Sequence, residues 1–78
     1  MNDEADAASW RIVPSSMLKA ISYDEASGRL RVRFASGGTY TYHAVPAAVV
    51  AELLDPPQGS IGRYFGERIR DVYDVDPE

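Results

Sequence analysis

At 78 residues without a cysteine, the chain has room for one domain and no disulfide or thiolate metal site to staple it. Its core must stand on apolar packing, with self-association as the available supplement. The net charge of −4 is unevenly placed, because residues 8–70 hold all eight basic side chains against five acids, a net of +3. The balance is made up by Asp3, Glu4 and Asp6 at one end and Asp71, Asp74, Asp76 and Glu78 at the other. An acidic chain argues against a nucleic-acid partner, but here the part expected to fold is mildly basic. The termini have two readings: solubilising disordered segments, or tails that compete with an anionic ligand for a basic face.

Residues 1–9 read as a disordered acidic tail, with no apolar stretch of signal-peptide length. No run approaches a membrane span, so the expected location is cytoplasmic. Trp10-Arg11-Ile12-Val13 is a short extended lead-in, since Pro14 biases Val13 away from the helical region, and Ser15-Ser16 makes a turn. Residues 17–23 form the first expected strand. The loop Asp24-Glu25-Ala26-Ser27-Gly28 follows, with Asp24 suited to an Asx turn and Gly28 to positive φ. Residues 29–35 and 39–44 alternate apolar and polar side chains about Ser36-Gly37-Gly38, the pattern of a β-hairpin.

The period then changes. Pro46 suits a first helical residue, and Val45, Val49 and Leu53 at four-residue spacing, with Val50 and Leu54 beside them, predict a helix over 46–54. Asp55-Pro56-Pro57-Gln58-Gly59 ends it. Ser60 is the expected N-cap of a second helix over 61–70, with Gly62 and Gly66 costing it about 1 kcal/mol each relative to alanine. That cost predicts a packing need for their bareness. Residues 10–73 therefore make the domain, and 74–78 an acidic C-terminal tail. The fold class is α+β: an antiparallel three-stranded meander with two helices on one face. The expected core is Ile21, Leu30, Val32, Phe34, Tyr40, Tyr42, Val49, Leu53, Phe65 and Ile69.

Hairpin register decides the role of the tyrosines. A two-residue loop, Ser36-Gly37 or Gly37-Gly38, would set Tyr40 and Tyr42 on one face with Arg33, an aromatic platform for unpaired bases. A three-residue loop, Ser36-Gly37-Gly38, pairs Phe34 with Tyr40 and Val32 with Tyr42. The tyrosines then join the core, and Thr39, Thr41 and His43 lie beside the arginines. A chain this small gains more by burying tyrosines than threonines, and a type I turn followed by a left-handed glycine suits the sequence, so the second register is favoured.

Val13-Pro14-Ser15-Ser16, Ile21-Ser22-Tyr23-Asp24, Leu30-Arg31-Val32-Arg33-Phe34, Tyr40-Thr41-Tyr42-His43-Ala44-Val45-Pro46 and Gly59-Ser60-Ile61-Gly62-Arg63-Tyr64-Phe65 follow one another, leading into Ile69-Arg70 and Tyr73. In this order they resemble the KTSC domain, a small bacterial domain also found at the C-terminus of some lysyl-tRNA synthetases. The resemblance implies a domain of unknown function for which RNA binding is inferred from the synthetase association. It brings no catalytic residue. Thr39, Thr41 and His43 depart from the family pattern, which often has charged or aromatic residues on that polar edge.

The chain offers few parts for an enzyme. His43 is the only histidine, and no triad-like or nucleophile-elbow motif surrounds Ser36 or Ser60, with Asp24 or Asp55 the available orienting groups. One histidine and scattered carboxylates do not make a metal site, and Gly59, Gly62 and Gly66 match no phosphate-loop spacing. No cofactor is expected. Arg29, Arg31 and Arg33 at period two make a cationic stripe, with Arg63, Arg68 and Arg70 a second group. By itself the short stripe is better read as charge that blocks edge pairing and keeps a small protein soluble. The expected function is thus a non-enzymatic binding module, with a candidate nucleic-acid face of Arg29, Arg31, Arg33, Thr41, His43 and Arg63. The alternative is a protein-interaction or self-associating module using the spare apolar Trp10, Ile12 and Met17.

Overall fold

The computed structural model describes residues 10–78. The expected tail over residues 1–9 lies outside the described residues. In chain order the elements are β1 (Arg11–Ile12), β2 (Leu18–Asp24), β3 (Arg29–Phe34), β4 (Thr39–Tyr42), α1 (Ala47–Leu54), α2 (Ile61–Arg68) and β5 (Val75–Pro77). The strands form one antiparallel sheet in the order β1-β2-β3-β4-β5. The α+β class holds, but the sheet has five strands where the alternation pattern marked three. The lead-in Arg11–Ile12 pairs with Ile21 and Ala20, and the segment set apart as an acidic tail pairs with β4. Both additions are too short to carry a period of their own, and they exist because an edge strand offers unpaired backbone groups. Among the described residues no helix is long and apolar enough to cross a membrane.

Local chemistry explains most boundaries. The Ser15 hydroxyl accepts from the Met17 and Leu18 amides at 3.1 and 3.2 Å, making the turn into β2. Asp24 Oδ1 accepts from the Ala26 amide at 3.1 Å, and Gly28 takes φ +73°, which closes the β2–β3 loop. Ser60 caps α2 by accepting from the Arg63 amide at 3.2 Å. Pro46 is the N-cap of α1 with extended backbone, one position earlier than a first helical residue.

A register shift between Leu18 and Ala20 bulges β2. The bulge lets both Leu18 and Ile21 reach the helix side, despite their odd spacing, and leaves Ala20 and Ser22 on the opposite face. The β3–β4 hairpin pairs Leu30 with Tyr42 and Val32 with Tyr40. The faces are therefore those of an odd-length loop, but each pairing is displaced by two residues from the expected Val32–Tyr42 and Phe34–Tyr40. The loop is Ala35-Ser36-Gly37, closed by the Gly37 amide on the Phe34 carbonyl and the Phe34 amide on the Gly38 carbonyl. Gly37, at φ +114°, takes the positive-φ position.

The core lies between the sheet and the two helices. Leu18, Leu30, Leu53, Phe65 and Ile69 are fully buried, with Ile21, Val32, Tyr42, Val45 and Val50 around them. Phe65 stands at its centre, meeting Phe34 and Tyr42 edge-on at 5.5 and 5.4 Å. Tyr40 does not join this core, being 37% exposed at the end of the hairpin, and Phe34 and Val49 are only partly buried. Tyr64 bridges the helices, its hydroxyl donating to Glu52 at 2.6 Å; burial and this bond push its pKa up to about 12. A Cβ on Gly62 would sit at ordinary van der Waals distance, 3.5 Å, from the Met17 Cβ, and one on Gly66 would meet nothing within 4 Å. The expected packing need thus fails at both glycines.

Adjacent substitutions on α2 should act in opposite directions. Phe65→Ala, which empties the centre of the core, should cost about 3–5 kcal/mol in chemical denaturation. Gly66→Ala should add about 0.5–1 kcal/mol, since it gains helix propensity without a clash.

Candidate nucleic-acid interface

The pleat of β3 separates two surfaces. Leu30 and Val32 face the helices, and Arg29, Arg31 and Arg33 stand on the helix-free face. Cross-strand pairing sets out that face in rows. Ser22, Arg31, Thr41 and Asp76 make one row; Ala20, Arg33 and Thr39 make the next; Asp24 and Arg29 lie towards the β2–β3 loop. His43 follows β4 on the same side, its amide bonded to the Asp74 carbonyl at 2.9 Å.

Five of the six candidate residues therefore share one face. Arg63 does not. It stands on α2, in the layer behind the sheet, and pairs with Glu67 one turn along at 3.2 Å. The signal that suggested it was charge count in the final helix, which carries no information about layer.

Two further groups belong to this face that period and composition did not reveal. Trp10 lies across the arginines, with the Arg33 and Arg31 guanidinium carbons 4.3 and 4.8 Å from its ring centre. Ala20 and Ser22 are buried on the same face, although they lie on the side away from the helices. The second group is acidic. Glu78 receives Arg31 through two bonds, Nε to Oε2 at 2.9 Å and Nη2 to Oε1 at 3.0 Å, and accepts from the Thr41 hydroxyl at 2.6 Å. His43 Nε2 lies 2.9 Å from Asp76 Oδ2. The alternation Val75-Asp76-Pro77-Glu78 was the available sign that this segment has a charged face.

The Arg31 and then the Thr41 hydrogen bonds pull the Glu78 carboxyl from its ordinary 4.5 down to about 2. Arg29 and Arg33 make no ion pair among the described residues. Among the described residues the face thus holds two guanidinium groups outside ion pairs, one of them against Trp10, and a third clamped to a carboxylate.

On the helix side, Met17, Tyr40 and Val75 rim a groove of about 510 Å³ floored by Phe65 and Tyr42, with Arg70 and Asp71 at its mouth.

Residues 14–73 match the model of the KTSC domain. The chain belongs to the KTSC domain family. An uncharacterised protein of Stutzerimonas stutzeri (strain A1501) is 43% identical over 53 residues, covering 68% of this chain and 72% of its own. The crystal structure of a KTSC domain protein from Yersinia pestis superposes with a TM-score of 0.82 at 28% identity, covering 88% of this chain and 94% of that one. The family match stops at Tyr73, so β5, with Asp76, and the following Glu78 lie beyond the matched part of this KTSC domain.

Glu78 has its pKa lowered by folding, so its contribution is present above the ordinary carboxyl value and lost as pH falls through about 2. Acidification from about pH 5 to about pH 2 should lower the protection of the His43 and Glu78 amides, which hold β5 to β4, relative to their intrinsic exchange rates, and by more than at amides between β2 and β3. Glu78→Gln should make those two amides exchange fast already at neutral pH.

Proposed function

We propose that this KTSC domain is a non-enzymatic binding module whose helix-free sheet face takes single-stranded RNA. The observation that supports the reading is the assembly of Arg29, Arg31, Arg33, Thr41 and His43 on one sheet surface beside Trp10. Guanidinium groups recognise phosphate oxygens and stack on bases, and an open sheet carrying an aromatic ring is a platform that single strands use. Arg29 and Arg33 supply the phosphate contacts, because neither is committed to a carboxylate among the described residues. Thr41 and His43 supply hydrogen-bonding groups. Arg63 takes no part, since α2 holds it in the other layer. A chain free of cysteine gains nothing from an oxidising compartment, and the proposed partner places the domain in the cytoplasm.

With two phosphate contacts, affinity should fall about sevenfold between roughly 50 and 200 mM salt, from the single-strand slope of about −0.7 per contact. Titration of labelled protein with a mixed-sequence single-stranded RNA, followed by NMR, should move the resonances of Arg29, Arg33, Thr41, His43 and the Trp10 indole. Arg29→Glu with Arg33→Glu should weaken binding by at least about tenfold while leaving the fold intact. A silent spectrum at low salt overturns the reading and turns attention to a protein partner at the groove rimmed by Met17, Tyr40 and Val75.

A further inference from the structure

The cis contacts of β5 coincide with the proposed interface residue by residue. Arg31 and Thr41 both hold Glu78, and His43 meets Asp76. Of the five candidate residues on the sheet face, these three are engaged by one short strand. Asp76 and Glu78 stand two residues apart, so their carboxylates repeat along the strand at about 6.8 Å. The spacing is of the order of that between neighbouring phosphates in an extended single strand. Two anions in a row, held by a bidentate guanidinium, a hydroxyl and an imidazole, reproduce in protein what an RNA backbone would present.

The strand that carries them is weakly held. β5 has three residues, all exposed, at the edge of the sheet, and Pro77 within it has no amide to donate. Its fixings are the β4 pairing, the His43–Asp74 and Glu78–Thr39 backbone bonds, and the two acidic side chains. A short edge strand with little apolar burial belongs to the least stable part of a fold and can open without unfolding the rest. The core itself rests on residues up to Ile69, so it does not need β5 for its closure.

We propose that residues 75–78 are a built-in competitor: they occupy Arg31, Thr41 and His43 as a mimic of the RNA backbone, and full engagement of RNA requires their release. The inference rests on the RNA reading above and adds its regulation. Arg29, Arg33 and Trp10 make the first contact, and displacement of Glu78 from Arg31 follows. Anything that neutralises or captures the acidic strand raises affinity.

The test compares the full chain with an Asp76→Asn, Glu78→Gln variant and with a Glu25→Gln, Asp55→Asn variant. The last makes the same charge change at exposed residues outside both the sheet-face rows and β5. Single-stranded RNA of mixed sequence is the probe, with affinity and hydrogen exchange as readouts. The expected result is affinity about tenfold higher for the β5 variant than for the charge-matched control. In the unaltered chain, saturating RNA should also remove exchange protection from the His43 and Glu78 amides. Equal affinities of the two variants, or protection that persists at saturation, would overturn the competitor while leaving RNA binding in place. No binding by any of the three at low salt would overturn both.

Discussion

The alternation of β3 is the constraint on which the rest of this protein depends. A small chain without staples has one core, and β3 runs through the middle of the sheet with partners on both sides. Leu30 and Val32 must lie under the helices, because their burial is a large share of the available apolar stabilisation. Strand geometry then leaves Arg29, Arg31 and Arg33 no choice but the other face. The cationic row is thus a consequence of folding. Its setting is a tryptophan stacked over two of the guanidinium groups and a carboxylate held in the fork of one.

A second junction seats the helices on the sheet. Gly28 and Ala44 both take positive φ, and the loops that contain them touch so closely that a Cβ on Gly28 would come within 3.2 Å of the Ala44 Cα. The Val45 amide donates to the Gly28 carbonyl, and the Tyr23 hydroxyl donates to the Val45 carbonyl. These bonds turn the chain out of β4 and into Pro46, so that Val50 and Leu53 enter the core from α1. From there Tyr64 and Glu52 tie α2 to α1, and Phe65 is delivered to Phe34 and Tyr42.

The two edges of the sheet are treated differently. β1 ends it with two residues and brings Trp10 onto the cationic face, whereas β5 ends it with three and brings Asp76 and the following Glu78. Short, charged or proline-bearing edges resist pairing with other chains, and both strands meet that need. They also close the arginine row from opposite sides, one with an aromatic ring and the other with carboxylates. The charge separation visible along the chain is therefore cancelled in part across the sheet.

The central strands, the parity of the hairpin, both helices and the Ser60 cap were legible in the sequence, because each depends on residues within a few positions of one another. The KTSC resemblance rested on the same local motifs. Neighbouring residues carry no record of which distant segment fills an open edge, so β1 and β5 could not be read from them. The bulge in β2, the two-residue displacement of the hairpin pairs and the exposure of Tyr40 escaped for a related reason: each is settled by what packs across the sheet. Among the candidate residues, period two grouped the three arginines, and the odd length of the hairpin loop added Thr41 and His43 to their face. Arg63 was misplaced because net charge does not say which layer a helix occupies. Trp10, Asp76 and Glu78 joined the face only when the chain closed into a sheet, since pairing between strands far apart in sequence is decided by tertiary structure.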